Sequence, residues 1–350
     1  FGSENVTNSP NMVGAVDHMK YNNEAYVNSG KSPLYPQATI DAYVANQNTE
    51  PYEYPNVNWK NEIFSQPGFN QNHTLSVSGG SEKISIMGSL GFYDEKGIIP
   101  GTEYKRYSVK LNTNLQFSKK FSTDIDMWMR FSQTKQPYAE GDLTAIIDQI
   151  TLPAVRPLKT KDGLYGVGWD GTNALAMINE GGFHHANVPS LLLNLGATYE
   201  IIDELKVIVN YAPEFSMPYN HTFSLPVKTY YNDGTLAYTQ PVVSSLTEYQ
   251  GRAMQNNLKA TINYEKSINN HNFKLLVGWQ AEDYTMRWIS GHREGFLFQQ
   301  YDVLNAGGVT NVNSNGTGQE SALLSTYGRI NYDFSGKYLF EASLRRDQSS

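Results

Sequence analysis

From Asn72 onward, apolar and polar residues trade places with a period of two, segment after segment, and each segment ends at a turn. The stretch Asn72 to Tyr107 sets the pattern. It reads as two alternating strands around a tight Ser78-Gly79-Gly80-Ser81 turn, then a longer loop, then a third strand. Ile84, Ile86, Leu90 and Phe92 share one face, and Ser85, Ser89 and Tyr93 take the other. The next segments repeat the division: Tyr107, Val109, Leu111 and Leu115 against Lys110, Asn112 and Asn114, then Ile125, Met127 and Met129 against Asp124, Asp126 and Arg130. Leu191 to Tyr199, Leu205 to Tyr211, Leu258 to Tyr264, Phe273 to Trp279, Ile330 to Tyr332 and Tyr338 to Leu344 continue it. That makes about ten strands, near the length a tilted membrane strand needs. Such a chain folds either as sheet packed on sheet or as a wall with lipid on one face and water on the other.

Connection lengths help to choose between these. Short ones fall at Gly79-Lys83, Ser118-Lys120, Ile202-Glu204, Ser267-His271 and Ser335-Lys337. Longer ones fall at Asp94-Glu103, Lys135-Pro189, Met217-Glu248 and Ser290-Ser321, in strict alternation with the short ones. A sandwich has no reason to keep every long loop at one end, whereas a membrane barrel does. Phe117, Phe121, Tyr199, Tyr264, Phe273, Phe334 and Tyr338 gather beside the short turns, as an interfacial aromatic girdle would. No run of about twenty apolar residues exists, so strands rather than helices would have to span. The mean hydropathy of -0.49 does not oppose this, because barrel strands are only half apolar. Charged residues are 17% of the chain, below the roughly one quarter usual in soluble domains. The net charge of -7 argues against nucleic acid as a partner. The absence of cysteine excludes disulfides and thiolate metal sites within these residues.

The first seventy or so residues differ. Val13 to Asn28 has helical spacing ended by Ser29-Gly30, and Pro36 to Asn46 is a second short helix. A Pro/Tyr-rich connector from Pro51 to Pro55 follows. The expected division is residues 1–71, with the short helices, and residues 72–350, barrel strands with long loops over 135–189, 218–247 and 291–320.

Catalytic chemistry finds no support. Asp124 and Asp126 share a face but read as solvated charges near Arg130. His184-His185 reads as a pair in a long loop, and adjacent histidines in a strand would point opposite ways. Gly307-Gly308 and the Gly/Asn run 313–318 lack the frame of a phosphate loop and read as flexible loop. No cofactor, metal site or enzyme activity is expected. Tyr165, Trp169, Phe183, Tyr230, Tyr231, Tyr238 and Trp288 lie in or beside the long loops, flanked by Asn, Asp and Gln. Exposed aromatic planes of this kind suit sugar rings, so these seven are the ligand-binding candidates. The lumen-lining candidates are Lys110, Asp124, Asp126, Arg130, Lys259, Glu265, Glu282, Arg329 and Glu341. Their mixed signs suit neutral polar cargo better than a simple ion pore.

Two blocks of wording resemble the SusC/RagA family of TonB-dependent outer-membrane transporters. The first runs through Asn58-Trp59, Ile63-Phe64, Asn72-His73, Leu75-Ser76-Val77-Ser78-Gly79-Gly80-Ser81-Glu82-Lys83, Gly97-Ile98-Ile99 and Tyr104-Lys105-Arg106-Tyr107. The second runs through Tyr327-Gly328-Arg329-Ile330-Asn331-Tyr332, Lys337-Tyr338-Leu339 and Arg345 to Ser350. The resemblance implies an all-β antiparallel transmembrane barrel of about 22 strands, of which these residues supply about half. It makes Phe1-Gly2 the end of a barrel strand and the rest of residues 1–71, with its short helices, the first extracellular loop. It implies a plug and a TonB-contacting segment, neither of which these residues resemble, and a SusD-like surface lipoprotein as lid. It also implies import of glycans or peptides across the outer membrane of a Gram-negative bacterium. An open half-barrel leaves two bare strand edges in lipid, so these residues are expected to belong to a longer chain. The expected function is nutrient uptake as the barrel part of a glycan importer. A peptide importer, a passive porin and a soluble secreted carbohydrate-binding β-protein are the alternatives.

Overall fold

The computed structural model describes residues 1–7, 10–138 and 143–350; residues 139–142 of the loop expected over 135–189 lie outside that description. A short strand β1 (Gly2–Glu4) is followed by α1 (Ala15–Asn28), α2 (Gln37–Asn46) and α3 (Trp59–Ile63). Four long strands come next: β2 (Gly68–Gly80), β3 (Ile84–Lys96), β4 (Glu103–Ser118) and β5 (Phe121–Pro137). Helices α4 (Leu143–Ile147) and α5 (Ala174–Glu180) interrupt the sheet before β6 (Gly182–Ile202). Then come β7 (Leu205–Tyr211), β8 (Glu214–Ser216), β9 (Tyr219–Ser224), β10 (Val227–Tyr230) and β11 (Leu236–Gln240). The chain closes with β12 (Ser245–Ile268), β13 (His271–Glu294), β14 (Asn313–Phe334) and β15 (Tyr338–Ser349).

One antiparallel sheet takes all of these strands except the hairpin β10–β11. Its order follows the chain, from β1 through β6 to β7, then β12 to β15. Strands β7, β8 and β9 each bridge β6 and β12, so they are one strand broken twice. The breaks fall at Pro213 and Pro218, which cannot donate to the ladder. Neighbouring oxygens still serve: the Leu193 N–H donates to the Pro213 carbonyl at 3.0 Å, and the Gly251 N–H to the Pro218 carbonyl at 2.8 Å. Among the described residues the path is open, and β1 does not pair with β15.

Directly opposed residues in an antiparallel sheet share a face. Leu75 opposes Leu90, Leu90 opposes Val109, Val109 opposes Met129, and Met129 opposes Leu191. The apolar face read from the alternation is therefore continuous across strands, and it is bare: Leu90 is 55% exposed and Leu344 81%. The aromatic residues beside the short turns meet across strands, Phe117 against Phe121 at 5.4 Å, Phe121 against Tyr199 at 6.5 Å and Phe334 against Tyr338 at 6.4 Å.

The buried apolar clusters all lie at the opposite end, where the long connections meet. Trp59, Ile63, Ile99, Ile146, Leu152, Ala174 and Met177 form one, drawing on three connections. Ala15, Met19, Ile40 and Ala154 form a second, and Phe223, Leu246 and Phe296 a third.

Strands run further than the alternation marks. β12 and β13 are each 24 residues long, and β14 begins at Asn313. The 313–318 run is thus ladder rather than flexible loop: Trp288 opposes Thr317 and Ile289 opposes Gly316. His184 and His185 likewise sit in β6 and not in a loop, where they oppose Gln136 and Lys135. Strand pairing made at a distance of many residues extends these elements past the point where local pattern fades.

Candidate functional site

The polar face is built by the same register that makes the apolar one. On β4 and β5, Asn112 and Asn194 donate to the Asp126 carboxylate at 2.6 and 3.1 Å, and Asn114 donates to Asp124 at 2.6 Å. Beside them the Lys110 ammonium lies 5.1 Å from the Trp128 ring centre and the Arg130 guanidinium 5.6 Å from it. On β12 and β13, Glu282 accepts from Asn257 at 3.2 Å and from Gln280, while Glu265 pairs with Lys274 at 3.3 Å. Lys259 stands between Asn210 and Gln280 in register. On β14 and β15, Glu341 accepts from Asn331, and Arg329 stands between Leu276 and Ser343. The nine candidates therefore share one face but form three groups along it, with acids and bases interspersed. Amide donors satisfy most of the carboxylates, so the face offers many hydrogen bonds and little net field.

The seven aromatic candidates do not form one cluster. Tyr165, Trp169, Tyr230, Tyr231 and Tyr238 come together. The Tyr230 N–H donates to the Tyr165 carbonyl at 2.9 Å, which lays hairpin β10–β11 against the 152–172 segment. The Thr229 hydroxyl donates to the Gly171 carbonyl at 2.5 Å, and Asn173 donates to the carbonyls of Leu158 and Gly166 at 3.0 and 2.8 Å. Asn173 also caps α5 through its side-chain oxygen. Trp169 remains 68% exposed, with the Arg156 guanidinium 5.7 Å from its ring. Phe183 lies elsewhere, in strand β6, where it stacks on His185 at 4.3 Å and packs against Phe223. Trp288 also lies in a strand, 5.6 Å from Tyr249.

A cavity of about 490 Å³ opens beside Trp169, with Gln149, Asp170, Thr172 and Gln240 in its lining. Gln149 donates to the Thr172 hydroxyl at 2.9 Å, and that hydroxyl donates to the Asp170 carboxylate at 2.6 Å. Burial pushes the Asp170 carboxyl up, but the Thr172 hydroxyl and backbone N–H together outweigh it and hold the group below its ordinary value. Thr172 lies three residues from Trp169 and its bond to Asp170 is local, but no local signal marks Gln149 as their neighbour; packing of distant segments places it there.

A further polar cluster sits where the β13–β14 connection folds over β9 and β12. His221 meets Glu248 at 2.7 Å through Nδ1 and Asp302 at 3.1 Å through Nε2. These residues are far apart in the chain, so their meeting was not legible in it. Among the described residues no group of three or more His, Asp or Glu is arranged to hold a metal ion.

No family model matches the chain. Over 306 residues it is 23% identical to the TonB-dependent receptor P3 of Formosa agariphila, covering 84% of this chain and 30% of that protein. Over 314 residues it is 22% identical to the TonB-dependent receptor SusC of Bacteroides thetaiotaomicron, with the same coverage of 84% and 30%. Among solved structures it is similar to the RagAB peptide transporter, with a TM-score of 0.78 and 17% identity over 99% of this chain and 41% of that one. It is also similar to the ferric citrate transporter FecA, with a TM-score of 0.52 and 9% identity over 81% of this chain and 35% of that one. The chain spans about a third of the length of these curated relatives. All four are receptors or transporters by name, not enzymes.

Proposed function

We propose that this chain, which resembles the SusC/RagA branch of TonB-dependent receptors, forms wall and loops of an outer-membrane importer of glycans. Supporting it is an unbroken antiparallel sheet with one apolar and one polar face, the division a lipid-bounded wall needs. The helical segment within residues 1–71 and the connections from β5 to β6, β9 to β12 and β13 to β14 face the outside of the cell. The nine polar-face residues line the lumen. A SusD-like lipoprotein covers the loop end, and TonB acts through a plug supplied elsewhere in the protein. Glycan cargo is favoured by the exposed Trp169 beside amide, hydroxyl and carboxylate groups. Sugar rings offer apolar C–H faces to stack and hydroxyl edges to bond. The peptide reading draws on one observation, the likeness to the RagAB peptide transporter.

Uptake separates these readings. Deleting the gene should abolish growth on a glycan while leaving growth on oligopeptides unchanged, and disabling TonB should do the same. Loss on oligopeptides alone would establish the peptide importer. Uptake that survives the loss of TonB would mean a passive porin. A native protein that stays soluble and monomeric without detergent would point to the secreted carbohydrate-binding alternative.

A further inference from the structure

The cavity beside Trp169 is lined by two connections that lie well inside the chain, and its polar groups are of one kind. Trp169 and Asp170 stand on a turn that is fixed at both ends. The Gly168 N–H donates to the Thr172 carbonyl at 2.9 Å, and the Thr172 N–H donates to the Asp170 carboxylate at 3.2 Å. The Thr229 hydroxyl holds the Gly171 carbonyl from hairpin β10–β11. Gly171 has a φ of +92°, which favours glycine, and a Cβ there would fall 2.5 Å from the Tyr238 ring. The two side chains are therefore placed before any ligand arrives, which lowers the ordering cost of binding.

What the walls present is acceptors. Gln149 is only 8% exposed; its amide N–H donates to the Thr172 hydroxyl, but its Oε1 has no hydrogen-bond partner among the described residues. An enclosed oxygen without a donor is costly, so a ligand that brings a donor supplies what the protein lacks. Asp170 is held below its ordinary value and stays a carboxylate at neutral pH. Both bonds from Thr172 go to its Oδ1, which leaves Oδ2 for a ligand. Asp148, exposed in the 3₁₀ turn Asp148–Thr151 that follows α4, adds a second carboxylate to the lining. Among the described residues no Lys, Arg or His lines the cavity. The nearby Arg156 guanidinium rests on the Trp169 ring instead.

We propose that this cavity is a selective sugar subsite, which takes a neutral, hydroxyl-rich unit and turns away units carrying a carboxylate or sulfate, with Asp148 and Asp170 as the specificity-determining residues. Trp169 stacks on the apolar C–H face of the ring, and the ring hydroxyls donate to the Asp170 carboxylate and the Gln149 amide oxygen. An acidic unit in the same place would set like charges together in a partly enclosed space. It would also bring acceptors to a wall that needs donors. Rejection by a repulsive element is a common route to specificity, because it weakens the wrong ligand without weakening the right one. This selectivity rests on the glycan reading above and narrows it to one class of sugar.

The test uses the full-length protein in detergent on an array of neutral oligosaccharides and their uronate- and sulfate-bearing counterparts. Wild type is expected to bind neutral members about tenfold more tightly than their acidic counterparts. Asp148→Lys is expected to narrow that gap to roughly twofold, and Asp148→Asn to narrow it by less. Trp169→Ala is expected to weaken the neutral members about tenfold by removing the stacking plane. Heat-modifiable migration establishes that each variant keeps its barrel. Acidic members bound as tightly as neutral ones by wild type, or a gap unchanged in Asp148→Lys, would overturn the proposal. Neutral binding untouched by Trp169→Ala would overturn it too, because the sugar would then sit elsewhere. A wild-type protein that binds no oligosaccharide would overturn the glycan reading beneath it, which is a different result.

Discussion

At the scale of single residues, one carboxylate of the loop end has a consequence that can be measured. Asp170 is exposed, in a loop, and held below its ordinary value by Thr172. A depressed carboxyl stabilises its surroundings above the unfolded value of 3.8, and that contribution is lost as pH falls through the folded value. Acidification below about pH 4 should therefore loosen the 152–172 segment, and Asp170→Asn should make the same segment loose at neutral pH and insensitive to acid. Hydrogen exchange across that segment from pH 7 to pH 3 reads both. If wild type and Asp170→Asn lose protection in parallel on acidification, the carboxylate is not the cause. Trp169 and the alternation of the strands could be read from the chain because each depends on its own identity or on near neighbours. The Gln149–Thr172 and His221 contacts could not, because packing between distant segments brings them together.

Elements tell a similar story. Helices α1 and α2 were legible from apolar spacing and from the Ser29-Gly30 and Pro36 boundaries, and they form within two residues of the expected limits. The strands were legible in number and facing but not in length, since β5, β6, β12, β13 and β14 continue into sequence that reads as loop. Their extension is decided by cross-strand partners. One such partnership is tight enough to test. Tyr327 lies across the strand from Gly278, and a Cβ at Gly278 would fall 2.2 Å from its ring. The Arg345 guanidinium rests over the other side of the tyrosine, 5.7 Å from its centre. Gly278→Val should force the ring out of place and reduce the folded fraction of the barrel several-fold, a loss of roughly 1–3 kcal/mol from overpacking. Gel migration with and without heating measures it. Restored folding in the Gly278→Val, Tyr327→Ala double variant is expected, and its absence would show that the clash lies with the backbone.

On the scale of the whole molecule, the wall and the loop end are stabilised by different things. The wall has ladder hydrogen bonds and two exposed faces, whereas the buried apolar clusters hold the connections to one another. Trp59 joins the first connection to the next two, packed with Ile99, Ile146 and Met177 and fully buried. Trp59→Ala should cost that cluster about 3–5 kcal/mol. The expected outcome is rapid proteolysis within residues 10–64 and 143–181, with barrel migration unchanged. Loss of the barrel itself would mean that the loop cluster and the wall fold as one unit. The sequence by itself determined the class of this protein, because a period of two fixes which face each residue takes and connection length fixes which end the loops occupy. Only the tertiary structure decided where the strands end and which aromatic residues gather. Those outcomes depend on what stands opposite a residue across the sheet, and a strand's own sequence does not name its partner.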